Sequence, residues 1–256
     1  MQQFTDTHAH TVASTHAFST VDEYFREARA KGLHLFSITD HGPEMPDSPH
    51  PWHFGNMRVL PRVKDGVALL RGIEANIVPD ERIVDANETL MSFMDFAIAS
   101  FHEPVFPPSD RLTHTKALIA AIESERIQII GHPGNPNYPI EIDAVVKACV
   151  AHGVAIEINN SSFHVSRHGS EPHCMAILEA AAREGAQVAA ASDAHVAYAV
   201  GDVSTSLQKI IAARIEPEAV VTLTARSLLD FLARHGRPVA TELAAWLHDL
   251  EKKMGA

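Results

Sequence analysis

Histidine and carboxylate side chains recur along this sequence at or just after the ends of short apolar segments. The chain has 17 histidines, against 21 lysines and arginines together. The residues in question are His8, His10, His16, His41, Glu74, His102, His132, Asp193 and His195. Neutral imidazole and carboxylate groups bind zinc, manganese, iron and nickel, and no thiolate site is indicated. The pattern therefore predicts a site for divalent cations.

The number of candidate ligands indicates more than one ion. A catalytic ion takes about three or four protein ligands and keeps an open position, so this set is enough for two or three ions. Bound metals lower the pKa of a water ligand and stabilise a developing oxyanion. A cluster of this kind therefore favours a hydrolase.

The candidate ligands must be positioned by strands that alternate with helices. We predict seven strands, at Gln3–Thr7, Leu33–Thr39, Val67–Glu74, Phe93–Ser100, Ile127–Gly131, Val154–Asn159 and Gln187–Ala191. Strands separated by helices pair in parallel, and their C-terminal ends meet on one face. All of these strands but one end at, or are followed by, His, Asp or Glu. The exception is Val154–Asn159, where Asn159 and Asn160 stand at the end. Seven such units predict an α/β barrel rather than an open sheet, with the metal site at the C-terminal ends of the strands.

Helix signals stand between the strands. A capping box at Thr20 and Glu23 opens a helix that Gly32 ends, and apolar periodicity predicts helices at Thr113–Glu125, Ile140–His152 and Glu171–Glu184. Five prolines in Gly42–Pro61 predict a long ordered loop without a helix. The end of the chain reads as helical, with a packing helix at Val239–Met254. We expect one domain over residues 1–256.

Composition restricts the class of protein. The charge is −11, from 21 basic and 32 acidic residues, which disfavours long nucleic acids as partners. Two cysteines cannot form a disulfide framework, and no apolar stretch approaches the roughly 18 residues of a membrane span. These features predict a soluble, cytoplasmic protein without a membrane partner. A homo-oligomer is compatible with the sequence.

Taken in order, the strand-end residues resemble the PHP (polymerase and histidinol phosphatase) superfamily, and within it the small YcdX-like phosphatases. The series His-x-His, Asp-His, Glu, His, His and Asp-x-His matches in identity and order over roughly residues 3 to 235. The motifs that carry the resemblance are Ile38-Thr-Asp-His-Gly42, Gly72-Ile-Glu-Ala-Asn76, Gly131-His-Pro-Gly-Asn135 and Glu157-Ile-Asn-Asn-Ser-Ser162. The resemblance implies a distorted seven-stranded (βα)₇ barrel, similar to a TIM barrel, with three divalent ions. These are most often Zn²⁺, with Mn²⁺ or Fe²⁺ as alternatives.

The resemblance also implies how the ligands divide among the ions. The first ion would be held by His8, His10, Glu74 and Asp193, the second by Glu74, His102 and His132, and the third by His16, His41 and His195. The implied reaction is hydrolysis of a phosphate ester, most simply a small monoester, by a hydroxide that bridges two ions. Two further residues are candidates for catalysis: Arg167 for gripping the substrate phosphate, and Asp40 for orienting a ligand or relaying a proton.

Other functions remain open from the sequence. A phosphodiesterase or nuclease, or a histidinol phosphatase, could be built on the same barrel, and so could a non-catalytic metal-binding protein. The tripeptide at Arg167, Arg-His-Gly, also occurs in metal-independent histidine phosphatases, but there it directly follows a first strand. Metal-dependent turnover argues against the histidine phosphatases and the non-catalytic protein, and a side-by-side substrate panel would separate a histidinol phosphatase.

Overall fold

Seven parallel strands and one short antiparallel strand form a single sheet in the computed structural model, which describes residues 1–255. The strands are β1 (Thr5–Asp6), β2 (Leu35–Ile38), β3 (Val63–Lys64), β4 (Val67–Asn76), β5 (Phe96–Ser100), β6 (Ile129–Ile130), β7 (Ala155–Asn159) and β8 (Val188–Ala191). Their order is β1-β2-β4-β5-β6-β7-β8, and β3 pairs only with β4. All seven predicted strands are present, each within or close to its expected bounds.

The sheet curls until its two edge strands nearly meet. The backbone N–H of His10 donates to the carbonyl of Ala194 (2.8 Å), and the N–H of Ala194 donates to the carbonyl of His8 (3.2 Å). The buried carboxylate of Asp6 strengthens this junction, because it accepts from the backbone N–H groups of Ser192 and Gly201. The predicted seven-stranded barrel is confirmed.

Ten helices accompany the strands in the described chain. They are α1 (Val21–Ala30), α2 (Pro51–Asn56), α3 (Glu88–Met91), α4 (Arg111–Glu123), α5 (Ile142–His152), α6 (Glu171–Glu184), α7 (Ser204–Ala212), α8 (Ala225–Arg234), α9 (Val239–Glu242) and α10 (Ala244–Met254). The capping box at Thr20 and Glu23 opens α1 as predicted. Helix α6 has the predicted bounds, and Gly185 ends it in the left-handed conformation. None of these helices is long and apolar enough to cross a membrane.

Apolar side chains fill the lower part of the barrel. Leu70 and Phe96 from the strands form one buried cluster with Phe231, Leu243 and Leu247 from the C-terminal segment. Side chains two residues apart on a strand share a face, so the lower half of β4 supplies Leu70 and its upper half supplies Glu74. The C-terminal helices therefore plug the barrel from below, while its upper end carries the polar side chains.

Three local predictions were wrong or incomplete. The segment Gly42–Pro61 contains α2 and a 3₁₀ turn, because Pro51 occupies the first helical position, where a missing N–H costs nothing. Strand β3 was missed because Val63 and Lys64 belong to no apolar run. The predicted helix over Val239–Met254 is divided at Leu243 into α9 and α10.

Shortening a buried side chain of the C-terminal helices that plug the barrel should destabilise the protein. Leu243 is 1% exposed, and replacing a buried leucine by alanine removes about 2–5 kcal/mol from the free energy of unfolding. We expect Leu243→Ala to show a loss in this range in urea denaturation of metal-free protein. The matched control is Leu112→Ala, since that side chain is 56% exposed. Equal midpoints for the two variants would contradict the plug.

Candidate metal centre

The upper end of the barrel brings together all nine residues that the sequence predicted as ligands. His8 and His10 follow β1, His41 follows β2, and His102 follows β5. Glu74 lies inside β4 rather than at its end, because the strand continues in register with β5 through Asn76. Residues that are far apart in the chain thus share one pocket, as parallel strands require.

Glu74 is the central carboxylate of this pocket. Its Oε1 lies 2.9 Å from Nε2 of His132 and 3.4 Å from Nε2 of His102. Its Oε2 lies 3.3 Å from Nε2 of His8, 3.4 Å from Nε2 of His10 and 3.1 Å from Nδ1 of His41. The side chain is 1% exposed, and the two oxygens face different histidines. The carboxylate could therefore serve as a ligand on two sides, with His102 and His132 at one oxygen and with His8, His10 and His41 at the other.

Asp193 is the second carboxylate. Its Oδ1 lies 3.3 Å from Nε2 of His10 and 3.6 Å from Nδ1 of His195, and the same oxygen lies 3.6 Å from His8. The backbone of Asp193 has a φ of +56°, a conformation that aspartate tolerates better than most residues. This turn carries both Asp193 and His195 toward the pocket from the end of β8.

The outer part of the pocket is formed by imidazoles that lie nearer to solvent. Nε2 of His16 is 2.8 Å from Nε2 of His195. Nδ1 of His195 donates to the carbonyl of Asp193, and Nδ1 of His16 donates to Asp47. In neutral rings both Nε2 atoms then carry lone pairs, which repel at this distance unless a cation lies between them.

Three residues that the sequence analysis did not select hold the histidines in place. Oε1 of Glu157 accepts from Nδ1 of His8 (2.7 Å), and its Oε2 accepts from the backbone N–H of His132 (2.7 Å). Oδ1 of Asn76 accepts from Nδ1 of His102 (2.7 Å), and Asp47 accepts from His16. Glu157 lies within β7 and Asn76 is the last residue of β4, both on the face turned into the barrel. Only His, Asp and Glu at or beyond the predicted strand ends had been selected, which leaves out a glutamate inside a strand and any asparagine.

Burial and charge set the protonation of the inner groups. Burial by itself lowers the pKa of His8, but Glu157, Glu74 and Asp193 outweigh it and hold that pKa well above its usual range. Burial raises the pKa of Glu74, yet the neighbouring imidazoles, His8 first, hold it well below the usual range. The carboxylates thus favour a positive charge at the centre, whether on His8 or on a metal.

Two other histidines are kept neutral. Burial and the neighbouring His41 lower the pKa of His10 to about 3. Burial and the nearby guanidinium of Arg167 lower the pKa of His132 to about 4. Since the neutral ring is the form that binds a metal, these two imidazoles are ready to act as ligands at neutral pH.

The donor atoms fit divalent cations. Nε2 of His8 and both ring nitrogens of His10 and of His41 are buried without a hydrogen-bond partner in the described chain. Unpaired buried polar atoms are costly, and a metal would satisfy them. Zinc bonds of about 2.1 Å place neighbouring ligand atoms roughly 3.4 Å apart, close to the spacings around Glu74 and Asp193. Four overlapping groups of three side chains could each hold an ion: His8, His10 and Asp193; His10, His41 and His195; His16, His41 and Asp47; and His41, Glu74 and His102.

Asp40 and Arg167 lie beside this cluster. Asp40 is fully buried and accepts from the backbone and hydroxyl of Thr11, from Ser14 and from His53. It therefore fixes the turn between His10 and His16, and its predicted role in orienting a ligand or relaying a proton stays a prediction.

Arg167 is engaged by protein groups. Its Nη2 donates to Asp193 Oδ2 (2.6 Å) and to Asn159, and its Nε donates to Ser162. A bidentate grip on phosphate through the Nε–Nη2 edge would have to displace these partners. The predicted phosphate contact stays a prediction.

Comparison with known proteins places the chain in a family. The family described as PHP domain matches residues 6–161. A protein named probable phosphatase from Shewanella sediminis is 52% identical over 244 residues, which cover 95% of this chain and 99% of that protein. A probable phosphatase from Aeromonas hydrophila shows the same identity and coverage.

A solved structure shares the fold. It is the histidinol phosphate phosphatase from Lactococcus lactis, in complex with zinc, L-histidinol and phosphate. It matches with a TM-score of 0.64 and 19% identity over 88% of this chain and 98% of that one. The barrel and the order of its histidines and carboxylates are consistent with these matches. On the domain match and the identity to relatives over most of the chain, this chain belongs to the PHP family.

Proposed function

We propose that this protein is a metal-dependent phosphatase that hydrolyses small phosphate monoesters at a centre of three divalent cations. The observation that carries the proposal is the pair of buried carboxylates, Glu74 and Asp193, surrounded by imidazoles, of which His8, His10 and His41 have buried ring nitrogens without a hydrogen-bond partner in the described chain. Relatives named probable phosphatase match nearly the whole chain. The proposed ligands are His8, His10, Glu74 and Asp193 for one ion, Glu74, His102 and His132 for the next, and His16, His41 and His195 for the outermost.

The chain's own residues prepare the site for this reaction. Divalent cations, when bound, lower the pKa of a water ligand and offset negative charge on the phosphoryl oxygens. Glu157 and Asn76 hold His8 and His102 through Nδ1, which leaves Nε2 of each ring to face the centre. Arg167 adds a fixed positive charge beside Asp193. Preorganised charges of this kind stabilise a transition state without reorganisation during the reaction.

Charge also favours a small substrate. The protein carries −11 overall, so a long polyanion is repelled at most of the surface, whereas a single phosphate needs only the local field of the ions. The cytoplasmic location expected from the two cysteines, and any homo-oligomer, stay predictions.

Phosphate release from p-nitrophenyl phosphate tests the proposal. Purified protein should turn over this monoester, lose turnover after chelation and desalting, and regain it when Zn²⁺ or Mn²⁺ is added back. Protein carried through the same steps without chelator is the control. Turnover that survives complete metal removal would overturn the proposal.

The remaining outcomes separate the other candidate functions. Hydrolysis of bis-p-nitrophenyl phosphate in preference to the monoester would favour a phosphodiesterase. A marked preference for histidinol phosphate in a panel of monoesters would identify a histidinol phosphatase. Bound metal with no turnover of any ester would indicate a binding protein.

A further inference from the structure

The proline-rich segment Gly42–Pro61 reaches the outer edge of the metal centre through one side chain, Asp47. Oδ2 of Asp47 lies 2.5 Å from Nδ1 of His16. The backbone carbonyl of Asp47 also accepts from the N–H of Thr15, the residue before His16 (3.2 Å). The segment thus holds His16 at two points, by side chain and by backbone.

His16 needs such support more than the other proposed ligands do. Its side chain is 52% exposed, whereas those of His8 and His10 are fully buried. A ring in solvent samples several rotamers, and ordering it costs conformational entropy. A hydrogen bond to Nδ1 limits the ring to one orientation and places the proton on Nδ1, so that Nε2 is left as the ligand atom.

The segment that carries Asp47 is itself fixed. Tight turns are closed by hydrogen bonds from Met45 N–H to the carbonyl of Gly42 and from Ser48 N–H to the carbonyl of Met45. The N–H of Glu44 donates to the partly buried carboxylate of Asp85. The prolines of this segment restrict its backbone further. The position of Asp47 is therefore fixed by its own segment and does not depend on the contact with His16.

The second oxygen of Asp47 would be stabilised by a cation at the edge of the centre. Oδ1 is buried and has no hydrogen-bond partner in the described chain. A carboxylate oxygen of Asp47 lies within 4.8 Å of ring nitrogens of both His16 and His41. An unpaired buried carboxylate oxygen is costly, and a cation held by these histidines would offset the cost.

We propose that Asp47 is a positioning residue for the outermost cation: it orients His16 and thereby sets the affinity of that one site. This inference rests on the proposed function, in which His16, His41 and His195 hold the third ion. Loss of the partner that orients a ligating histidine typically weakens metal binding by about 10–100-fold. Because His16 is half exposed and keeps other contacts, we expect about tenfold, near the lower limit of that range.

Metal titration of chelated protein tests the inference without relying on activity. Zn²⁺ binding is measured by calorimetry for the parent chain, His16→Ala, Asp47→Ala and Asp47→Asn. His16→Ala identifies the equivalent that depends on this ring. Asp47→Ala should weaken the same equivalent about tenfold and leave the others unchanged. Asp47→Asn retains an acceptor oxygen and should recover part of the affinity.

Glu44→Gln is the matched control, because it removes an exposed carboxylate from the same segment that pairs with Arg82 rather than with a histidine. It should bind all equivalents as the parent does. Thermal unfolding of the metal-free variants reports on folding. If Asp47→Ala folds and binds the His16-dependent equivalent with parental affinity, the inference is wrong. A parent chain that binds fewer than three equivalents would instead count against the trinuclear centre, and the comparison at the His16-dependent site still stands.

Discussion

Replacement of Glu74 by glutamine should lower kcat for p-nitrophenyl phosphate by about 10³-fold or more and remove at least one equivalent of bound metal. The reason is that both oxygens of Glu74 face imidazole nitrogens, Oε1 toward His102 and His132 and Oε2 toward three others. A carboxamide keeps one such oxygen and replaces the other with an NH₂ group, which repels a cation. The bridging position would then be lost together with its negative charge.

Steady-state kinetics and metal analysis of the purified variant check this expectation. Glu81→Gln is the control, because Glu81 is an exposed glutamate outside the pocket. It should retain parental kinetics and metal content. A Glu74→Gln protein with full metal content and unreduced turnover would show that this carboxylate does not bridge the ions.

A second large effect is expected at Glu157, which touches no ion in the proposed arrangement. Its carboxylate accepts from Nδ1 of His8, from the backbone N–H of His132 and from the side-chain amide of Asn159. In Glu157→Gln one of these donors must face an NH₂ group, which leaves buried donors unpaired or turns His8 away from the centre. Metal affinity should fall by about 100-fold, since two proposed ligands lose their support at once.

The measurement is Zn²⁺ titration of chelated protein, with unfolding of the metal-free form in urea beside it. Unpaired buried donors should also cost about 1–3 kcal/mol of unfolding free energy. Glu179→Gln, an exposed change on α6, provides the comparison. Parental metal affinity in folded Glu157→Gln would refute the orienting role of this residue.

Much of the site could be predicted because, in a barrel of parallel strands, residues at the C-terminal ends of the strands lie close together even when they are far apart in the sequence. Parallel strands all end on one face, so the rings of His10 and His195 meet, 4.5 Å apart, although 185 positions separate them, and the apolar runs mark where each strand stops. The position of Glu74 was predicted well even though β4 continues for two more residues.

What the sequence did not reveal depends on contacts between elements. Glu157 is one residue in an ordinary apolar strand, and its role follows only from the turn that brings His132 to it. Asp47 lies in a proline-rich segment. The prolines predict a restricted backbone, but they do not predict that the segment contacts His16. The helix that begins at Pro51 and the 3₁₀ turn after it were missed because proline content alone does not show that Pro51 takes the first helical position and that Phe54 packs into the core.

The C-terminal helices close the lower end of the barrel, so the candidate metal centre is open on one side only. Phe231, Leu243 and Leu247 fill the interior below the cluster of histidines and carboxylates, so a small molecule would have to reach that cluster from the upper end of the barrel. His16 and His195 stand at this upper end, whereas His8 lies below them with no exposed surface. If the three proposed ions are bound, they and the substrate would share this one approach: the outermost ion would be the first to exchange with solvent, and phosphate left in the approach would block the next ester.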